Sequence, residues 1–267
     1  MLDLTDLENQ TIYMLREAYA EFKKPAVLWS MGKDSTTMLW LCRKAFFGKI
    51  PFPVIHIDTG YKFRQMYDFR DRLTGEWDLD LLVARNEDAQ RAGVGPDNGN
   101  KLDCCTRLKT EALKSFLEVR GFDALILAIR RDEHGIRAKE RYFSPRNEDF
   151  RWDYKDQPLE MWDQFQGLVR EGSHMRVHPI LHWRELDVWE YVKQEGIPIN
   201  PMYYACDGMR YRSLGCEPCT RPIESDAACI NDIVEELRTT RVAERSGRAQ
   251  DKENTFTMQK LRALGYM

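Results

Sequence analysis

Two groups of residues in this chain of 267 amino acids have types and spacings that can do chemistry. The first is Ser30-Met31-Gly32-Lys33-Asp34-Ser35, set between an apolar run and a helical pattern. A loop that opens a helix aims backbone N–H groups and the positive helix end at one point, where an anion is stabilised. Gly32 permits a tight turn, Lys33 adds a point charge, and the Ser30 and Ser35 hydroxyls can donate to phosphate oxygens. Asp34 is suited to help hold Mg²⁺ rather than to touch phosphate. The plain alternative is a strand-to-helix turn capped by an Asp or Ser. The GxxxxGK[ST] spacing is absent, which argues against an ordinary nucleotidase that releases the γ-phosphate.

The second group is sulfur. Cys104 and Cys105 stand adjacent, and Cys216 and Cys219 form a CxxC, giving four soft ligands in two pairs. Four thiolates suit an iron–sulfur cluster or zinc. A redox CxxC, or cysteines buried without a role, remain as alternatives. Of the others, Cys42 on the helix after the loop is expected in the core, while Cys206 and Cys229 are weak persulfide candidates. His56 sits in an apolar strand run, and His174, His178 and His182 are interrupted by Pro179, so no single helical face of metal ligands is expected there.

The elements that must position these groups alternate. Residues 5–22 have helical spacing, then AVLWS, the loop, and TTMLWLCRKAFF read as strand, loop and helix. Further apolar runs at 53–57, 80–84, 124–129 and 176–180 alternate with helical stretches at 106–120 and 184–195. The expectation is an α/β fold, a mostly parallel sheet covered by helices. Residues 1–200 are expected to form this domain, and 201–267 an extension that carries the CxxC, a helix at 229–243 and a polar tail.

Composition narrows the classes. The chain is 43% hydrophobic and 31% charged, enough to bury a core, and its formal charge of -3 excludes a global field that recruits nucleic acid or anionic membrane. No apolar run approaches the roughly 20 residues of a membrane helix, and the acidic start MLDLTDLENQ is unlike a secretory signal. The expected compartment is the cytoplasm, where seven cysteines point away from a disulfide framework.

SMGKDS resembles the pyrophosphatase loop of N-type ATP pyrophosphatases, which cleave ATP between its α- and β-phosphates and adenylate an acceptor. FPVIHIDTGYKFRQMYDFRDRL, RRDEHGIRAKERYFSPR, RWDYKDQPLEMW and ERSGRAQD are similar to the small, catalytic subunit of sulfate adenylyltransferase. That resemblance implies the adenine-nucleotide α-hydrolase-like sheet shared with phosphoadenylyl-sulfate reductases. It also implies ATP and Mg²⁺ as ligands, with Asp58, Thr59 and Gly60 at the strand end where the nucleotide sits. Arg130, Arg131, Arg137, Lys139 and Arg141 then form a basic cluster for a phosphate or sulfuryl oxyanion, against the ordinary reading of a solvated charge run with Asp132, Glu133 and Glu140.

The cysteines, with Arg212-Ser213-Leu214-Gly215 and Pro218, resemble the set that holds a [4Fe–4S] cluster in adenylyl-sulfate reductases. Those enzymes use a further C-terminal cysteine, and this sequence has none after Cys229. The combination is similar to the Dnd- and Ssp-type ATP pyrophosphatases of bacterial DNA phosphorothioation. The leading expectation is therefore adenylation of an oxygen acceptor for sulfur insertion, with a cysteine desulfurase and DNA-modification proteins as partners and only local or indirect contact with DNA. The alternative is a sulfate adenylyltransferase small subunit working with a GTPase large subunit. An adenylyl-sulfate reductase and a non-catalytic adaptor rank below both.

Overall fold

A computed structural model describes residues 3–97, 101–162 and 164–248. The tail beyond Arg248 and the closing LRALGYM lie outside the described residues.

Helix α1 (Leu4–Glu21) begins where the Asp3 carboxylate accepts the Asp6 N–H at 2.8 Å, and it buries Leu7, Met14, Leu15 and Ala18. Then follow β1 (Pro25–Leu28), α2 (Lys33–Ala45), β2 (Val54–Ile57), α3 (Arg64–Glu76), β3 (Leu81–Ala84) and α4 (Glu87–Arg91). A continuous helix comprises α5 (Lys101–Cys105), a π-helical segment at Thr106–Glu111, and α6 (Ala112–Arg120), ending at Gly121 with φ 66°. Strand β4 (Ala124–Ile126), β5 (Phe143–Arg146), β6 (His174–Val177) and α7 (Glu185–Glu195) complete the main layer. A small ribbon, β7 (Met209–Arg210) and β8 (Ile223–Glu224), and helix α8 (Ile230–Thr239) close the described chain.

The six-stranded sheet has the order β3-β2-β1-β4-β6-β5, and every neighbouring pair is parallel except β5 with β6. The expected mostly parallel, helix-covered sheet is thus present. Helices on both faces explain why β1, β2, β4 and β6 are buried along their full length. Successive side chains alternate between two cores: Val27 and Val54 join Trp29, Phe69 and Trp189, whereas Leu28 and Ile55 join Leu113 and Leu125. The run at 176–180 proves to be a strand displaced toward the N-terminus, because Pro179 has no N–H to extend the ladder. Strand β5 was not expected, since Pro145 reads as a breaker. It is tolerated at the sheet edge.

The order of the strands reverses between β1 and β4, which opens a crevice at their carboxyl ends. No helix among the described residues is long and apolar enough to cross a membrane.

Candidate active site

A cavity fills that crevice. Ser30, Gly32, Lys33, Asp34 and Ser35 line it from the loop between β1 and α2, and Leu28, Ile55, Ile57, Leu127 and Ile129 from the strand ends. Residues distant in sequence complete it: His56, Lys62, Lys109, Glu133, Arg137, Tyr203, Ser213, Glu244, Arg245 and Arg248.

Within the loop, the left-handed residue is Met31 (φ 59°), not the glycine. A buried side chain in that conformation costs about 1–3 kcal/mol and persists only where its surroundings over-determine it. Gly32 has an ordinary φ of -78°, and its lack of a Cβ matters for another reason. A Cβ there would stand 3.4 Å from both Ser30 Oγ and Tyr203 Oη. The Ser35 hydroxyl donates to Gly32 O at 3.1 Å, and the Ser30 and Ser35 hydroxyls lie 3.1 Å apart, so these serines brace the loop. The Lys33 N–H donates to Tyr203 Oη at 2.9 Å.

Behind the loop lies a buried ion network. The Lys33 ammonium, 1% exposed, contacts Asp34 Oδ2 at 3.0 Å and Glu244 Oε1. Arg130 donates to Asp34 and Glu244 and, through Nε at 3.0 Å, to Asp132. Burial works against ionisation of Glu244, yet Arg130 and Lys33 outweigh it and hold the carboxyl down to about 2. Arg130 therefore supports the carboxylates and does not line the cavity. Arg137 does line it, paired with Glu133, which also takes the Arg245 guanidinium at 2.9 Å. Arg131 turns away: it donates to Glu140 O at 3.2 Å and stacks 5.2 Å from the Tyr142 ring.

Asp58, Thr59 and Gly60 stand beside the cavity rather than on its wall. Asp58 accepts from Gly60 N (2.9 Å), Tyr67 Oη (2.7 Å) and Arg85 Nη2 (2.6 Å). Burial alone raises its pKa, but the Tyr67 hydroxyl, the Gly60 amide and Arg85 bring it below the ordinary carboxylate value. Its hydrogen-bonding capacity is spent on the turn after β2. Cys42 is buried in the core, as its helical position predicts.

On the same cavity wall Lys62, Lys109 and Arg248 come together. Burial, with Lys109 and Arg248 nearby, pushes the Lys62 ammonium down to about 8. Lys109 also lines a second, smaller pocket, whose wall holds Cys104, Cys105, Cys216 and Cys219 together with Thr59. Its ammonium is 3.8 Å from Cys105 Sγ, and the Thr59 hydroxyl is 3.3 Å from Cys216 Sγ. Burial raises the Cys216 thiol, but Lys109, Lys62 and the Thr59 hydrogen bond bring it down to about 7. Burial and the neighbouring sulfurs push Cys104 up to about 12. Among the described residues no three His, Cys, Asp or Glu side chains are grouped to hold a single metal ion. A zinc ion needs sulfurs at about 2.3 Å from one point, and the thiols are not so grouped.

The residues that sequence reasoning missed are Tyr203, Lys62, Lys109, Glu244 and the arginines of the 244–248 segment. ERSGR carried Glu244 and the arginines and DTGYKF carried Lys62, while Lys109 and Tyr203 lay outside both motifs, and nothing in the spacing revealed that they would meet the loop.

Residues 24–222 match the phosphoadenosine phosphosulfate reductase domain family, and the chain belongs to that family. Two relatives, from Pseudomonas fluorescens and Zymomonas mobilis, are called sulfate adenylyltransferase subunit 2. They are 40% and 41% identical over alignments covering 98% of this chain and 97% of each relative. Among solved structures, the phosphoadenylyl-sulfate reductase of Candida auris aligns with a TM-score of 0.56 at 15% identity, over 83% of this chain and 98% of that one. The FMN adenylyltransferase of Candida glabrata in complex with ATP aligns at 0.57 and 19% identity, over 82% and 63%. The fold is that of the adenine-nucleotide α-hydrolases, as expected.

These relatives overturn the leading expectation. Near-full-length identity to sulfate adenylyltransferase subunits favours sulfate adenylylation over DNA phosphorothioation, and the desulfurase and DNA-modification partners fall with that reading. The cysteine set had weighed too heavily: a local ligand pattern says less about the reaction than the whole scaffold does.

Proposed function

We propose that the chain is the nucleotide-cleaving subunit of a cytoplasmic sulfate adenylyltransferase. A sulfate oxygen attacks the α-phosphorus of ATP, the bond between that phosphorus and the bridging oxygen to the β-phosphate breaks, and pyrophosphate leaves. The observation that carries the reading is the full-length identity to sulfate adenylyltransferase subunits, in a chain whose Lys33 loop lines the crevice. The loop would hold the leaving pyrophosphate, with Asp34 toward Mg²⁺. Charge already in place as the leaving group develops its own is electrostatic preorganisation, worth several kcal/mol. The cation-rich end at Lys62, Lys109 and Arg248 suits a sulfate dianion. A large subunit, which the family resemblance implies is a GTPase, would complete the enzyme. The test is exchange of labelled pyrophosphate into ATP by the assembled pair: exchange that requires sulfate supports the reading, and exchange indifferent to sulfate sinks it.

From the resemblance to adenylyl-sulfate reductases, and separately from the sulfate reading, we infer a [4Fe–4S] cluster in the four-cysteine pocket. In its support, four thiols line one pocket beside the Lys109 ammonium, and a cluster spreads its thiolates over separate irons rather than around one point. When bound it would tie the α5 helix to the Cys216 loop. Iron and sulfide analysis of anaerobically isolated protein decides this; zinc or no metal removes it.

A further inference from the structure

We propose that the Tyr203 hydroxyl is a phosphate-binding donor that relays the first amide of α2 to the pyrophosphate portion of the nucleotide, an assignment that rests on the function proposed above. Tyr203 ends a short 3₁₀ turn, Pro201–Tyr203, that Asn200 caps by accepting the Met202 N–H at 3.1 Å. Its ring packs edge-on against Trp189 of α7, with 5.5 Å between centroids, and the residue is 2% exposed. The side chain is therefore held from one side by the core while it lines the cavity on the other.

The contact with Lys33 is the unusual feature. The N–H of Lys33 is among the helix-terminal donors that have no intrahelical partner and that bind anions directly in other phosphate loops. Here Tyr203 Oη accepts it at 2.9 Å. A phenol that accepts through its oxygen still has a hydrogen to give. Tyr203 donates to no protein acceptor among the described residues, although burial of a donor normally requires one.

Its charged neighbours are Lys33, Glu244 and Arg248, which belong to the cavity wall. Burial keeps the phenol above its ordinary range, so the proton is retained. The missing Cβ of Gly32 leaves room for this approach, since a Cβ would stand 3.4 Å from the hydroxyl. The loop thus presents an O–H in place of one backbone N–H, displaced toward the cavity by one hydrogen-bond length.

The test compares the wild-type chain with Tyr203→Phe and Trp189→Phe in equilibrium binding of ATP, inorganic pyrophosphate and adenosine, with Mg²⁺ present. Tyr203→Phe keeps the ring and is expected to bind ATP and pyrophosphate about tenfold more weakly, the cost of one hydrogen bond to a charged group, with adenosine affinity unchanged. Trp189→Phe keeps the hydroxyl and disturbs the packing. It is expected to lower the thermal midpoint while preserving the ratio of ATP to adenosine affinity. Wild-type affinity for ATP in Tyr203→Phe, or a parallel loss of adenosine, overturns the relay and leaves the proposed function standing. A wild-type chain that binds no ATP overturns both together.

Discussion

Two regions of the crevice wall carry buried cations, one around Lys33 and one around Lys62, and their surroundings differ. Behind the loop between β1 and α2, Lys33 and Arg130 are matched by Asp34, Asp132 and Glu244, and the charges lie in contact. Around Lys62, burial is the largest influence and lowers the ammonium to about 8, with Lys109 and Arg248 adding to it and the Cys216 thiol and Asp58 opposing it. A matched network holds its geometry without a ligand. Around Lys62, where burial is the main force against the charged form, an incoming anion would favour the ammonium.

Breaking the loop end should have the largest effect. Lys33→Ala and Asp34→Ala are expected to lower sulfate-dependent pyrophosphate exchange by about 10²–10³-fold, the scale for losing a preorganised contact to a developing charge. Exchange rates in purified complex measure this.

Glu244→Gln should come next. It removes the counter-charge of two buried cations and is expected to cost about 3–5 kcal/mol of stability at pH 7, read from denaturant midpoints. Because the folded carboxyl titrates near about 2 and the unfolded one near 4.5, its contribution is present above 4.5 and is lost as pH falls through 2. The difference between wild type and variant should shrink over that window.

Lys62→Met sharpens the contrast from the Lys62 region. It is expected to raise KM for sulfate about tenfold or more, as for one charged hydrogen bond, with KM for ATP little changed in steady-state kinetics. Arg131→Ala should do least. Its guanidinium points at Glu140 O and Tyr142, so exchange activity is expected to stay within about twofold of wild type, the range of a substitution away from the site.

The sequence reading of the alternating strands rested on local patterns, and those patterns are present in the structure; the four cysteines line one pocket without forming a group for a metal ion among the described residues. The roles assigned to Asp58, Arg130 and Arg131 did not survive as cavity contacts, because type and position along the chain cannot say which way a side chain turns. Asp58 turns to Arg85 and Tyr67, and Arg130 to three carboxylates. Strand β5 escaped notice because a proline within it is acceptable only at an edge, and edges are defined by neighbours.

By itself, the sequence determined the periodicities, the turn between β1 and α2 and the family. Those are local or cumulative properties, and each follows from residue types at fixed spacing. Only the tertiary structure decided that Tyr203 would cover the Lys33 amide, that Glu244 would neutralise Lys33 and Arg130, and that Lys109 would line both the crevice and the cysteine pocket. These meetings join residues more than a hundred positions apart in two of the three cases. They depend on which strand ends the chain reversal brings together, and no spacing rule along the chain encodes that.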